Sequence, residues 1–306
     1  MLSKSPTPTQ PGCNDAARLG MGDLLLLAPS VKAVFCDLDG TLLDARHLLP
    51  LQALDAIQAA QASGVRFIPT TGRTVFAMRQ LFGDGFGALG LDYVACNGMD
   101  VVQAGTVLCH AVCPNEAARA LLERVIRDPQ PLGFVVYGQA EPYVLDMEAD
   151  YVRAKIESLH HADVRSAAAG LEDAQISKLA IVAHRDAPLL AQHLTREFGQ
   201  SFEFSACGEE WVDVAAKGHT KLEGIEMLLE AYGLRADEAV AIGDSMNDRT
   251  MLEALPLSVC VSNAMPQVKR FCRYEIGSNT ELAVPRLLES LATARRSQGV
   301  IPASLQ

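Results

Sequence analysis

Residues 34–41 read Val34-Phe35-Cys36-Asp37-Leu38-Asp39-Gly40-Thr41, an apolar run that ends in two carboxylates one residue apart. With Val31 and Ala33 in front, the run has the pattern of a short buried strand, and Gly40 then turns the chain. Side chains two apart on a strand share a side, so Asp37 and Asp39 are expected to face one way with Leu38 opposite. Two like charges that close repel and raise one pKa unless a cation lies between them. A hard divalent ion such as Mg2+ meets that need and also binds phosphate. Taken alone, the stretch also admits the lesser reading of a strand end followed by an Asx-Gly turn, which the downstream stretches weaken further.

Working outward, strand and helix patterns alternate. Strands are expected over 31–36, 65–69 and 92–96, helices over 50–63 and 74–82, and a hairpin over 100–103 and 106–111 about Ala104-Gly105. The middle changes texture: a helix over 116–127, paired strands over 134–137 and 143–145, a helix over 151–159, a strand over 176–183, a helix over 188–198 and a strand over 202–206. After 211–214 the first texture returns, with a long helix from Lys217 to Tyr232, a strand over 239–242, a helix over 247–255, a strand over 257–261 and a tail helix over 281–291. Strand–helix–strand units at this spacing predict an α/β fold, a parallel sheet covered by helices on both faces, with an α+β module inserted in it.

Composition narrows the class. The chain has 306 residues, 49% of them hydrophobic, enough for two cores of ordinary size. A net charge of −11 argues against a nucleic-acid partner, which calls for a basic face. No stretch approaches the roughly 18 apolar residues of a membrane span, and Leu24–Ala28 is too short and too weakly basic for a signal peptide. Cysteines stand at 13, 36, 96, 109, 113, 207, 260 and 272 without a Cys-x-x-Cys, a usage that fits reduced thiols in a cytoplasmic protein. Residues 1–22, rich in Ser, Thr, Pro, Gly and Gln, read as a disordered tail, and Met21 is a second candidate start.

Three further stretches carry chemistry. Thr70-Thr71-Gly72-Arg73 ends the second strand, where a hydroxyl and open backbone N–H groups suit a phosphate, or where a threonine simply caps a helix. Lys217-Gly218-His219-Thr220-Lys221 puts basic residues in a loop before a helix. Gly243-Asp244-Ser245-Met246-Asn247-Asp248 again ends an apolar strand in a carboxylate, and helix capping explains Asp248 but not Asp244 at the strand tip. Strand tips are where open α/β sheets bind ligands.

In this order, the four stretches resemble the motifs of haloacid dehalogenase superfamily phosphatases, specifically the Cof-type branch (subfamily IIB) with a C2-type α/β cap between motifs two and three. The resemblance covers about residues 31–292 and extends to Asn97-Gly98, Ser262-Asn263-Ala264-Met265 and Ser278-Asn279. It implies a Rossmann-like doubly wound core over 31–112 and 208–294 and a cap over 113–207. It further implies Asp37 as a nucleophile forming an aspartyl-phosphate, with Asp39 as general acid and then base. Mg2+ would be held by Asp37, the Asp39 backbone carbonyl and Asp244, supported by Asp248. Leu38, Thr71, Gly72, Lys221 and Asn247 would surround the phosphoryl group. For the lysine, Lys217 fits a Lys-Gly pattern, but Lys221 follows Thr220 and precedes Gly233 by twelve residues, as in the wider pattern, and is preferred. Leu222 departs from the glycine common there.

The implied activity is hydrolysis of a small phosphomonoester by a monomer or homodimer. A phosphomannomutase-like phosphotransferase and a non-catalytic phosphate-ligand binding protein are the alternatives. Sugar phosphates, polyol phosphates, pyridoxal phosphate and flavin mononucleotide are all candidate substrates. His160-His161 reads as solvated loop, and Trp211 as packing at the domain junction.

Overall fold

The run quoted above forms the centre of a sheet. The computed structural model describes residues 18–130, 132–138, 143–146, 163–166, 171 and 175–297. In chain order, β1 (Ala33–Cys36) and β2 (Arg66–Pro69) open a parallel sheet, and β3 (Tyr93–Ala95), β4 (Asp100–Gln103) and β5 (Thr106–His110) make a small antiparallel one. The inserted sheet holds β6 (Gly133–Tyr137), β7 (Tyr143–Asp146), β8 (Asp163–Ser166), β9 (Lys178–Val182), β10 (Phe202–Ala206) and β11 (Trp211–Ala216). β12 (Ala239–Gly243), β13 (Leu257–Val261) and β14 (Tyr274–Ile276) return to the first sheet, whose order is β14-β13-β12-β1-β2 with every pairing parallel.

From β1 the chain moves to β2 on one side, and from β12 it moves to β13 on the other. Right-handed crossovers in opposite directions put helix Leu51–Ala62 and helix Arg249–Ala254 on opposite faces. Helix Ala283–Ser297 packs on the first of these and helix Lys221–Tyr232 on the second. Sandwiched in this way, β1, β12 and β13 are buried along their whole length. The strand order reverses between β1 and β12, which opens a crevice at their C-terminal tips. The doubly wound core with an inserted cap is therefore the fold this chain adopts.

In the cap sheet the strand period sorts side chains to two faces. Leu179, Ile181, Val212 and Val214 point into a core with Leu121, Leu194 and Phe202, while Ala180 and Val182 lie on the opposite face. By the same period Lys178 and Asp213 belong to that second face, which overlies the core.

Several expectations need correction. The cap was expected to end at 207, but β11 pairs with both β10 and β9, so the chain leaves the cap sheet only after Ala216. Its alternating Val212 and Val214 look the same in either sheet, and only the non-local pairing assigns them. The tail expected over 1–22 is docked from Arg18 onward. Leu19 exchanges backbone hydrogen bonds with Arg273 and Glu275, Arg18 pairs with Glu275 at 3.1 Å, and Leu24 is buried in the core. The helix expected from Lys217 starts at Lys221, because Thr220 and Glu223 form its capping box. The expected helix over 151–159 and His160-His161 lie outside the described residues. The described cysteines are all free, and no helix among the described residues is long and apolar enough to cross a membrane.

One glycine lets a loop pack against the start of helix Lys221–Tyr232. Gly98 has φ +100°, and a Cβ there would run into the Thr220 carbonyl. Gly98→Ala is expected to lower folding stability by at least about 2 kcal/mol, since backbone cannot yield as a side-chain tip can. Chemical denaturation would show this, and a loss below about 0.5 kcal/mol would mean that the loop shifts freely.

Candidate active site

The acidic strand end is built by the ladder itself. Asp37 N–H donates to the Ile242 carbonyl at 2.9 Å, carrying the β1–β12 pairing one residue past the strand and fixing the Asp37 backbone at the crevice. The chain then turns sharply, with Leu43 N–H returning to the Leu38 carbonyl at 2.9 Å. Gly40 sits in this turn at φ +78°, and a Cβ there would lie 2.5 Å from Asp244 Oδ2. Glycine at 40 suits the positive φ and leaves room for the Asp244 carboxylate beside the turn. Asn263 donates to the Gly40 carbonyl at 2.7 Å, and Asn279 donates to the Leu43 carbonyl at 2.8 Å and, through its N–H, to Asn263 Oδ1. Those two late asparagines brace the turn.

Because the strand ends before Leu38, Asp37 and Asp39 do not share a strand face, which corrects the opening expectation. Each finds its own cation. Lys221, fully buried at the first turn of its helix, donates from Nζ to Asp37 Oδ1 and Asp248 Oδ1, both at 2.6 Å. Asp39 instead takes a two-pronged contact from Arg73, Nε to Oδ2 at 2.7 Å and the terminal nitrogen to Oδ1 at 2.6 Å, with His47 Nδ1 2.9 Å from Oδ1. Lys217 lies before the helix, half exposed, paired with Glu203 at 2.7 Å.

Asp248 is satisfied on both oxygens. Its Oδ1 receives Lys221, and its Oδ2 accepts from the backbone N–H groups of Asp244 and Ser245 at 2.9 and 3.0 Å. Among the described residues, Asp244 Oδ1 accepts only from Thr41 Oγ1, at 3.1 Å. Carboxylate oxygens of Asp37, Asp244 and Asp248 all lie within 4.8 Å of one another, a cluster able to hold a metal ion. Burial pushes the Asp37 carboxyl well above the usual range; Lys221 pulls it back, and Asp248, Asp244 and Asp39 push it up again. Asp244 is pushed up to about 7, by burial first and then by Asp248. Lys221 alone leaves this negative charge under-compensated, so the donor set fits a divalent cation. Asp39 behaves oppositely: burial would raise it, but the Arg73 and His47 contacts outweigh burial and hold it far below the usual range.

Across the crevice, the loop after β2 is held taut. Thr71 N–H donates to Val94 and its carbonyl accepts from Asn97, while Arg73 N–H donates to Thr71 Oγ1 and the Arg73 carbonyl accepts from Cys96. Helix capping falls to Thr74, which accepts from Ala77 N–H at 3.2 Å, so Thr71 is not the cap. Among the described residues nothing accepts the Gly72 N–H. Asn247 reaches the same region, donating to Asn97 Oδ1 at 3.2 Å and accepting from Ser245 Oγ at 2.6 Å.

The structure thus gathers Asp37, Asp244, Asp248 and Lys221 in one contact set, places Asp39 beside it on Arg73, and links Asn247 to the Thr71–Gly72 loop through Asn97. Sequence reasoning missed Lys178, Asp213 and His47. The first two carried a signal, each being a lone charge in an otherwise apolar strand pattern.

A buried carboxylate at a switch point, a lysine across it and an open loop amide make an arrangement able to take a phosphate group. The family model described as haloacid dehalogenase-like hydrolase matches residues 34–288, and the chain belongs to that family, in its Cof-type phosphatase branch. It is 28% identical over 282 residues to the pyridoxal phosphate phosphatase YbhA of Escherichia coli K12, covering 85% of this chain and 98% of that one. It is 24% identical over 264 residues to the 5-amino-6-(5-phospho-D-ribitylamino)uracil phosphatase YbjI of the same organism, covering 86% and 96%. Among solved structures, the subclass IIB sugar phosphatase BT4131 superposes with a TM-score of 0.69 at 21% identity, covering 89% of this chain and all of the other.

Proposed function

We propose that the chain is a Mg2+-dependent phosphohydrolase of small phosphomonoesters that works through an aspartyl-phosphate on Asp37. The observation that carries this reading is the buried Asp37 carboxylate at the β1 tip, 2.6 Å from Lys221 and clustered with Asp244 and Asp248. An Asp37 oxygen attacks phosphorus as the bond to the alcohol oxygen breaks. Water then attacks the acyl-phosphate at phosphorus, releasing phosphate and restoring Asp37, so one hard step becomes two easier ones. Asp39 gives a proton to the leaving alcohol and takes one from the water. Clasped by Arg73 and His47 it is ionised but a weak proton acceptor, so loosening the clasp raises its basicity. The proton it takes from the water is the one it gives to the next leaving alcohol. To act as an acid it has to be released, and an incoming phosphoryl group competes for Arg73.

Lys221, Thr71, Asn247, the Gly72 N–H and the Leu38 backbone surround the phosphoryl oxygens, where fixed positive charge and donors stabilise the transferring group. Asp37 and Asp244 side chains and the Asp39 carbonyl would hold Mg2+, and Asp248, already saturated, orients Asp244 and Lys221. When bound, the ion supplies positive charge against the phosphoryl oxygens.

The relatives named above act on different phosphorylated compounds, so the shared chemistry is the monophosphate rather than one alcohol. Release of phosphate from a panel of phosphorylated metabolites, pyridoxal phosphate and hexose phosphates among them, tests the reading. No release from any member with Mg2+ present would end it. Chelation by EDTA is expected to silence the activity and added Mg2+ to restore it, because the three-carboxylate cluster repels a phosphate dianion unaided. Full turnover in a metal-stripped sample would contradict the metal requirement.

A further inference from the structure

Two charged residues of the cap are buried directly over the phosphate loop. Lys178 on β9 and Asp213 on β11 are 5% and 4% exposed, and their Nζ–Oδ1 distance is 2.6 Å. Burying an ion pair gains little stability over apolar packing of the same size. What distinguishes this pair is where its remaining contacts go. Lys178 Nζ donates to the Gly72 carbonyl at 2.7 Å. Asp213 Oδ2 accepts from Asn97 Nδ2 at 3.0 Å, and its Oδ1 also accepts from Trp211 Nε1 at 2.7 Å. A Cβ at residue 72 would lie 2.6 Å from Asp213 Oδ2, so the carboxylate is seated on the loop itself. Tyr137 closes the cluster, its ring centroid 5.3 Å from Lys178 Nζ.

The Gly72 carbonyl belongs to the same short loop as the Gly72 N–H, the one amide of residues 71–73 left without an acceptor among the described residues. Every other backbone donor and acceptor of these three residues is engaged, by Val94, Asn97, Lys178, Thr71 Oγ1 and Cys96. We propose that Lys178 and Asp213 are a positioning pair. From the cap they lock the loop so that its free N–H stands at the phosphoryl site, which makes phosphate affinity depend on how the cap is seated. Lys178 has the Asp213 carboxylate, the Gly72 carbonyl and the Tyr137 ring around its ammonium, so it acts through the loop rather than on the alcohol part of a substrate. This rests on the phosphohydrolase reading above and deepens it.

Lys178→Met, Lys178→Arg and the double variant Lys178→Met/Asp213→Asn test it. The double variant removes both charges together, so no lone carboxylate stays buried. Three quantities are read with Mg2+ present: the dissociation constant of inorganic phosphate by calorimetry, kcat and KM for two monoesters of unlike alcohols, and the thermal midpoint. Lys178→Met and the double variant are expected to bind phosphate about tenfold more weakly, equivalent to about 1.4 kcal/mol. Their kcat/KM should fall by one common factor for both alcohols, and Lys178→Arg should recover most of the loss.

Unchanged phosphate affinity in the folded variants would overturn the proposal. So would a loss confined to one alcohol, which would mean direct contact with the leaving group. Unfolding of both Met variants would likewise overturn it, by making the pair a structural tie. If the parent protein binds phosphate yet hydrolyses no monoester, the functional reading fails, and the affinity comparison still decides the role of the pair.

Discussion

Asp37→Asn is expected to abolish phosphate release while the protein stays folded. The amide has nearly the shape of the carboxylate but cannot form an acyl-phosphate, so the covalent route closes. Loss of an essential nucleophile of this kind costs on the order of a millionfold in other hydrolases, and here a drop of at least about ten-thousandfold is expected on that scale. The fold should tolerate the change for a specific reason. Lys221 keeps its second partner, Asp248, at 2.6 Å, so no buried charge is left alone. Burial already pushes the Asp37 carboxyl toward its neutral form, so a neutral amide suits the site. The thermal midpoint should therefore match the parent or rise. Phosphate release within tenfold of the parent, from a folded sample, would remove Asp37 from the nucleophile role.

What could be read from the sequence follows from how local each signal is. The strand tips at Asp37 and Asp244 were legible because each ends an apolar run that only a buried parallel strand explains, and their meeting follows from strand order. The start of helix Lys221–Tyr232 carried an equally local signal, which the expectation of a start at Lys217 overlooked. Thr220-x-x-Glu223 is a capping box, and it fixes Lys221 at the first turn more firmly than the Lys-Gly pattern suggests Lys217. The partner of Asp39 was not legible: Arg73 arrives 34 residues later from the loop after β2, and the turn after Asp37 breaks the strand geometry that would have paired the two carboxylates. The membership of β11 was hidden in the same way, since an alternating strand carries no mark of which sheet it joins. Lys178 and Asp213 stood out only as charges in apolar strands, and nothing local says that they meet or that Gly72 lies beneath them.

The two lysines of the loop give the second large effect. Lys221 is fully buried between Asp37 and Asp248 at the crevice. A cation there neutralises charge mainly as the phosphoryl group transfers, so its removal should fall on kcat more than on KM. Lys221→Ala is expected to lower kcat by a hundredfold or more, on the scale of about 10²–10³ for one oxyanion donor. It should also cost stability, because two buried carboxylates lose their shared cation, a change typically worth about 3–5 kcal/mol. Saturating Mg2+ should recover part of that stability but not kcat, since the ion can offset carboxylate repulsion without reaching the lysine's position. Lys217 is half exposed and pairs with Glu203 near the start of β10, a contact worth under about 1 kcal/mol at a surface. Lys217→Ala should therefore shift kcat by less than tenfold, a small effect on that oxyanion-donor scale, and leave the thermal midpoint nearly unchanged. Both variants are to be measured on one substrate with saturating Mg2+. The opposite ranking would mean that Lys217 swings into the crevice when substrate binds and that the buried Lys221 is a scaffold for the carboxylates alone.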